Sequence, residues 1–260
     1  NVDEGAHVDS YANNNIGIGS NALLGGTFSN SAQGLEGNIA IGHNAMDNTG
    51  TSPQSGTVAI GYESLGLLTT GSENTAIGYR TMDSLTTGDK NTAVGYNAMG
   101  DVSGAGARDS DQNTAIGYNC MAGDWTSGKS TLNTAVGSGA MAGAMNDAHS
   151  NTAVGSASLA AVTTADGNVA IGYQSGLLVN TGEKNTLIGY RAGDVIEEGD
   201  ENVYIGYDVG GNSTNAQNRI AIGYNVTSTA DDSVTLGNDD VTAVYMASDS
   251  GATVHCGGVV

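Results

Sequence analysis

Polar and apolar positions follow one short scheme along most of the chain. In Asn91-Thr92-Ala93-Val94-Gly95-Tyr96-Asn97-Ala98-Met99, a polar Asn opens the alternation Thr-Ala-Val-Gly, and the segment closes on a small residue followed by an apolar one. The scheme starts again at Asn74, Asn113 and Asn133. With the Gly that follows Ile, Val or Leu taken as an anchor, thirteen copies appear: Gly19, Gly42, Gly61, Gly78, Gly95, Gly117, Gly137, Gly155, Gly172, Gly189, Gly206, Gly223 and Gly237. Half of the neighbouring anchors are separated by one recurring interval, as from Gly61 to Gly78, Gly78 to Gly95 and Gly155 to Gly172. That interval defines the basic 17-residue unit. Longer intervals, such as Gly19 to Gly42 and Gly95 to Gly117, mark insertions mostly in the N-terminal half.

A period of two over four residues predicts a short β-strand. The β-branched residues at one and three places before the anchor share a face, which is expected to point into a core. Ala and Gly are expected on a flat opposite face that allows close packing. Asn stands four places before the anchor in ten of the thirteen units, and stacking predicts a ladder of side-chain amides. The structural repeat is represented by Asn74, Ile77 and Gly78; Asn91, Val94 and Gly95; Asn113, Ile116 and Gly117; and Asn185, Ile188 and Gly189.

Three places after the anchor comes a small residue, such as Ala22, Ala98, Cys120 or Ser175, and then Leu, Met or Gly. Turns such as Thr86–Lys90 and Asn180–Lys184 follow, where Gly is expected to supply a positive φ. The pairs Met82/Leu85 and Leu159/Val162 fit either a bent second strand or one helical turn.

A single coil of this length cannot bury its own apolar face. Stacked coils gain backbone hydrogen bonds above and below, and each buried Ile or Val is worth roughly 1.5–3 kcal/mol. The fold class expected is all-β: a parallel β-solenoid of about 13 coils. At about 4.8 Å per coil, the stack would be a rod of roughly 58 Å. No composition break interrupts the series, so residues 15–238 are expected to form one repeat domain. Residues 1–14 then form a lead-in or cap, and residues 239–260 a cap or connection.

Composition supports a stack. There are 41 Gly in 260 residues, about twice the usual share, with one Pro and no Gly-X-Y period, which excludes collagen. Aromatics are 5% of the chain. The net charge of -20 disfavours nucleic acid and anionic lipid, because phosphate binding needs Lys and Arg. An acidic surface would also keep a long particle soluble. Two cysteines, Cys120 and Cys256, write no disulfide framework. No apolar run is long enough to span a bilayer as a helix, so membrane insertion is not expected. The start lacks an initiator Met and a signal-peptide pattern, as a fragment or processed product would.

"NVAIGYQS" (168–175) and "NIAIGHNA" (38–45) resemble the head repeat of YadA-like trimeric autotransporter adhesins. The resemblance spans about residues 15–238 and implies a left-handed parallel β-roll, three chains per particle and an adhesive outer surface. The unit here departs from that family's, which is shorter; only the last interval, Gly223 to Gly237, matches the family's length. A coiled-coil stalk and a membrane anchor are not found. "ADDSVTLGNDDVTAVYMASDSGATV" (230–254) resembles the end of repeat regions in phage and marine-virus tail fibres, where it precedes a trimerisation or self-cleaving chaperone region.

Tyr follows the anchor in eight units, at Tyr62, Tyr79, Tyr96, Tyr118, Tyr173, Tyr190, Tyr207 and Tyr224. The column reads either as an aromatic stripe that stacks on sugar rings or as a stacked ladder that shields the rung or seals a subunit interface. Phe28, Arg108 and Trp125 lie in the longer units, and inserted loops are the expected receptor contacts. Acidic clusters at Asp109/Asp111, Asp194 to Glu201, Asp231/Asp232 and Asp239/Asp240 read as solvated turns, with calcium as the sharper alternative. His43 and His149 have no ligand-like spacing, and no nucleophile elbow or phosphate loop appears. No catalytic residue, cofactor or metal site is therefore expected, and the chain does not read as an enzyme.

The expected function is a structural and receptor-binding segment of a homotrimeric fibre, extracellular, on a virion or a cell surface. Its partners would be copies of itself and a host-surface glycan or protein. The head of a bacterial trimeric adhesin is the first alternative. A polysaccharide-degrading tailspike and an ice-binding rod follow; Thr in only six of the thirteen copies of its column argues against the last.

Overall fold

The computed structural model describes residues 14–24, 34–50, 53–102, 109–125 and 128–244. Each anchor glycine lies within or just after a short strand. The strands are Ile16–Ile18, Ile39–Ile41, Val58–Ile60, Thr75–Ile77, Thr92–Val94, Thr114–Ile116, Thr134–Val136, Thr152–Val154, Val169–Ile171, Thr186–Ile188, Val203–Tyr207, Arg219–Tyr224 and Ser233–Leu236. They join in chain order into one 13-stranded sheet, and every pairing is parallel. Register follows the repeat: Thr92 pairs with Thr114, Ala93 with Ala115 and Val94 with Ile116. Two small parallel ladders flank the sheet, Leu35–Glu36 with Gln54–Ser55 and Gly210–Gly211 with Thr227–Ser228. The result is a β-solenoid of about 11 turns.

The faces of the strand are the reverse of the expectation. Ala40, Ala59, Ala76, Ala93, Ala115, Ala135, Ala153, Ala170 and Ala221 are fully buried. The flanking β-branched residues point outward, and Ile116 is 40% exposed. Where the opposite wall carries Met or Leu, the coil has room for only a small side chain from its strand. Alanine fits, and the room it leaves is filled from the opposite wall by Met46, Leu65, Met82, Met99, Met121, Met141 and Leu159. Around Leu187 this choice is inverted. Leu187 stands in the alanine column, and glycine replaces the facing Leu or Met at Gly176 and Gly193. A Cβ on either glycine would approach a Leu187 methyl carbon to 2.8 or 2.6 Å.

Around Met82/Leu85 and Leu159/Val162 the coil is made of tight turns, neither a second strand nor a helical turn. The carbonyls of Met82 and Leu159 accept i+3 hydrogen bonds from the N–H groups of Leu85 (3.2 Å) and Val162 (3.4 Å). Left-handed residues make the corners. In consecutive coils these are Lys90 (φ 59), Asn97 (φ 53) and Met99 (φ 50), then Gln112 (φ 59), Asn119 (φ 48) and Met121 (φ 51). Such a conformation costs a bulky residue roughly 1–2 kcal/mol. It is held by burial and by cross-coil bonds such as Met99 N–H to the Cys120 carbonyl at 2.9 Å.

Glycine in the Thr86–Lys90 turn has a different purpose from the one expected. The left-handed residue there is Lys90, whereas Gly88 lies where a Cβ would come within 2.3 Å of the Ser110 carbonyl oxygen on the next coil. Close stacking, not a positive φ, demands glycine at that position. The anchors need it for both reasons: Gly95 has φ +137, and its Cβ would meet the Gly117 carbonyl oxygen at 2.4 Å.

The asparagine column forms the expected ladder, fully buried from Asn38 onward. Asn168 Oδ1 accepts the backbone N–H of Asn185 at 2.9 Å and its Nδ2 at 3.0 Å. Asn185 Nδ2 also donates to the Gly199 carbonyl at 2.7 Å in the neighbouring turn. Thr57 substitutes for one rung. Arg219 ends the series: its N–H donates to Asn202 Oδ1, and its buried guanidinium reaches Asp231 Oδ1 at 2.7 Å and the Ser228 carbonyl at 3.1 Å. Beside it, the hydroxyls of Tyr204 and Ser228 lie 3.2 Å apart. A polar plug thus closes the apolar interior near the C-terminal end.

Candidate interaction surfaces

Three outward features arise from this stacking. The first is the strand face. Ile41, Ile60, Ile77, Val94, Ile116, Val136, Val154, Ile171, Ile188, Ile205 and Ile222 form one continuous outward column, half-buried to exposed. Beside it runs a column of Thr, Val and Ile. The ten coil steps from Ile41 to Ile222 make a strip of Ile, Val and Thr roughly 48 Å long at about 4.8 Å per coil. Contiguous exposed apolar surface is a mark of interaction sites in general.

The second feature is the tyrosine column, which is a stacked ladder. Tyr62, Tyr79, Tyr96 and Tyr118 form one run with ring centroids 5.1, 5.2 and 5.4 Å apart; Tyr173, Tyr190, Tyr207 and Tyr224 form another, at 5.3, 4.9 and 5.2 Å. The planes within each run are tilted by 4–17°. His43 extends the first run at 5.4 Å. Each tyrosine inside a run has both ring faces occupied by its neighbours and offers only its edge and hydroxyl. Sugar rings therefore find no free ring face along the interior of the stripe.

The third is the acidic turn. Asp89 Oδ1 accepts the N–H of Ser72 at 2.6 Å, and Asp111 Oδ1 accepts that of Asp89 at 2.8 Å. Asp166, Asp200 and Asp231 do the same for His149, Glu183 and Gln217, at 2.6, 2.7 and 3.0 Å. These carboxylates cap backbone N–H groups of the preceding coil. Lys129 and Arg191 pair with two of the acidic residues, Asp111 and Asp194, each at 2.6 Å. The Gln217 N–H and the Arg219 guanidinium hold the Asp231 carboxyl below its ordinary 3.8. Among the described residues, no group of three or more His, Cys, Asp or Glu is placed to hold a metal ion.

A surface hollow of about 250 Å³ lies between Asp47, Glu63, Leu67, Arg80 and Asp83. Arg80 Nε donates to Asp83 Oδ2 at 2.7 Å and lies 3.5 Å from Glu63 Oε2. Burial pushes the carboxyls of Asp47 and Asp83 up. The arginine is committed to its two carboxylates, so the cluster closes on itself.

Trp125 is not a surface contact. It is fully buried, in the series Leu68, Leu85, Val102, Trp125, Met145, Val162, Val179 and Ile196 that supplies one interior side chain per coil. An indole stands here where most coils place Leu, Val or Met. Phe28 and Arg108 lie outside the described residues. Cys120 is a packing residue, as its column implies: Sγ sits 3.3 Å from the Ala135 carbonyl oxygen, and burial pushes the thiol up to about 12.

Comparison with protein-family models, with curated proteins and with solved structures returned no match.

Proposed function

We propose that this chain is a structural and receptor-binding segment of a homotrimeric extracellular fibre, such as a phage or viral tail fibre. The observation that carries the reading is the outward column of Ile and Val that runs along the sheet. Removing apolar surface from water is worth about 25 cal/mol per Å², so a strip this long favours association with identical strips. A rod of identical rungs pairs naturally with copies of itself, because each rung meets the same chemistry at the same height. The number three comes from the resemblance to YadA-like head repeats, and the fibre context from the 230–254 segment. Trimerisation would display three copies of each outer surface and turn weak contacts into avid ones.

The test is to place a charge on the strip and leave the interior untouched. Ile77→Glu combined with Ile116→Glu should separate the chains while the β-sheet circular dichroism persists. Unchanged association by sedimentation would remove the strip from the interface and take the proposal with it.

A further inference from the structure

The tyrosine ladder has a gap. Between Tyr118 and Tyr173 two rungs carry no ring: the post-anchor positions are Ser138 and Ser156, both exposed. The gap is confined to side chains. The backbone ladder runs straight through it, with Gly139 N–H to the Tyr118 carbonyl at 2.9 Å, Ala157 N–H to that of Ser138 at 3.0 Å and Gln174 N–H to that of Ser156 at 3.0 Å. The next column is cut back at the same height, to Gly139 and Ala157, where flanking coils carry Asn119 and Gln174. A Cβ placed on Gly139 would meet nothing within 4 Å.

Tyr118 stacks on Tyr96 and Tyr173 on Tyr190, and among the described residues no aromatic ring stacks on the side of either that faces the gap. The two free faces look at each other across three coil steps, about 14 Å at the parallel-strand spacing. Two further flat rings would divide that distance into three gaps of about 4.8 Å, close to the spacing of the stacked tyrosines themselves. The floor is two serine hydroxyls, and the next column carries Asn119 and Gln174 on the coils that bound the gap. Aromatic walls with hydroxyl and amide neighbours match a pyranose, which has an apolar C–H face and a rim of hydroxyls needing donors and acceptors. None of these residues is charged, so the match is to a neutral sugar.

We infer that the notch between Tyr118 and Tyr173 is a glycan subsite, in which neutral pyranose rings stack on the two free tyrosine faces and hydrogen-bond to Ser138 and Ser156. This deepens the fibre reading and rests on it for the biological role, because it names the receptor class.

The test fills the notch with the residue that the rest of the column uses. Ser138→Tyr with Ser156→Tyr should complete the ladder and fold as the flanking coils do. The wild type, the filled variant, Tyr118→Ala/Tyr173→Ala and the in-run control Tyr79→Ala are applied to an array of neutral hexose oligosaccharides. The wild type and the control should bind a common subset, and the other two should lose at least about tenfold in affinity, equivalent to about 1.4 kcal/mol. A trimeric wild type that binds no neutral oligosaccharide, or that binds equally well with the notch filled, overturns the subsite and leaves the fibre reading standing. A monomeric wild type overturns the fibre reading, whatever it binds. Notch-dependent binding of aromatic peptides without any oligosaccharide would overturn the glycan assignment in favour of a protein partner.

Discussion

Asn168 and Asn185 share one buried oxygen: Oδ1 of the first accepts both the backbone and the side-chain N–H of the second, at 2.9 and 3.0 Å. Both residues are fully buried, so each rung of the ladder depends on its neighbour for satisfaction. Asn168→Ala takes this acceptor from two donors of Asn185 and should cost at least about 3 kcal/mol. Asn168→Thr should cost less, since Thr57 already serves as a rung. Urea denaturation at fixed chain concentration gives both values.

The anchor glycines are limited by the next coil as well as by their own φ. Gly95→Ala drives a Cβ to 2.4 Å from the Gly117 carbonyl oxygen and should destabilise by more than about 3 kcal/mol, or split the stack locally. Gly139→Ala has open space and a left-handed φ of +64, and should cost only about 1 kcal/mol. Equal losses in thermal unfolding would contradict close stacking as the cause.

Leu187 and its two facing glycines should behave as one unit. Leu187→Ala alone leaves a cavity and should cost about 2–5 kcal/mol. Adding Gly176→Leu and Gly193→Leu restores the arrangement of the neighbouring coils, where Leu159 already adopts a φ of 48. Most of the loss should return in the triple variant, and a cycle of the single and combined variants measures the coupling.

Most of the architecture is legible in the chain. The thirteen anchors correspond to the thirteen strands, and the asparagine column to the ladder. The facing of the strand is not legible from alternation, because a period of two says that two faces differ without saying which is inside. The deciding signal is present all the same: the position two before the anchor is usually alanine, and a cramped interior demands that. The acidic turns are legible as turns, but their capping of the previous coil is not, because it depends on cross-coil register. Trp125 escapes the sequence for a related reason: a residue of a longer unit can still fall in an interior column. The notch is visible in the sequence as "GSGA" and "GSAS" among copies of "GY", but only stacking shows that it lies between two free ring faces.

The buried position of Trp125, the sole tryptophan, has a spectroscopic consequence. Its emission in the folded protein should be blue-shifted from that of the urea-unfolded chain, and acrylamide should quench it weakly. Strong quenching in native buffer would return this residue to the surface.

Acid should loosen the C-terminal coils first. The Asp231 carboxyl binds its proton less readily folded than unfolded, so its contribution is present above the ordinary 3.8 and is lost as pH falls through the depressed folded value. Hydrogen exchange of residues 217–236 should accelerate, relative to the middle of the stack, as the pH is lowered below the ordinary 3.8, after correction for intrinsic rates. Asp231→Asn should remove most of that difference.

If the outward Ile/Val strip is covered by two further copies of the chain, sedimentation equilibrium in native buffer tests it most directly. The expected result is a single species of three times the 25.9 kDa chain mass, stable on dilution. A stable species of 25.9 kDa would contradict it.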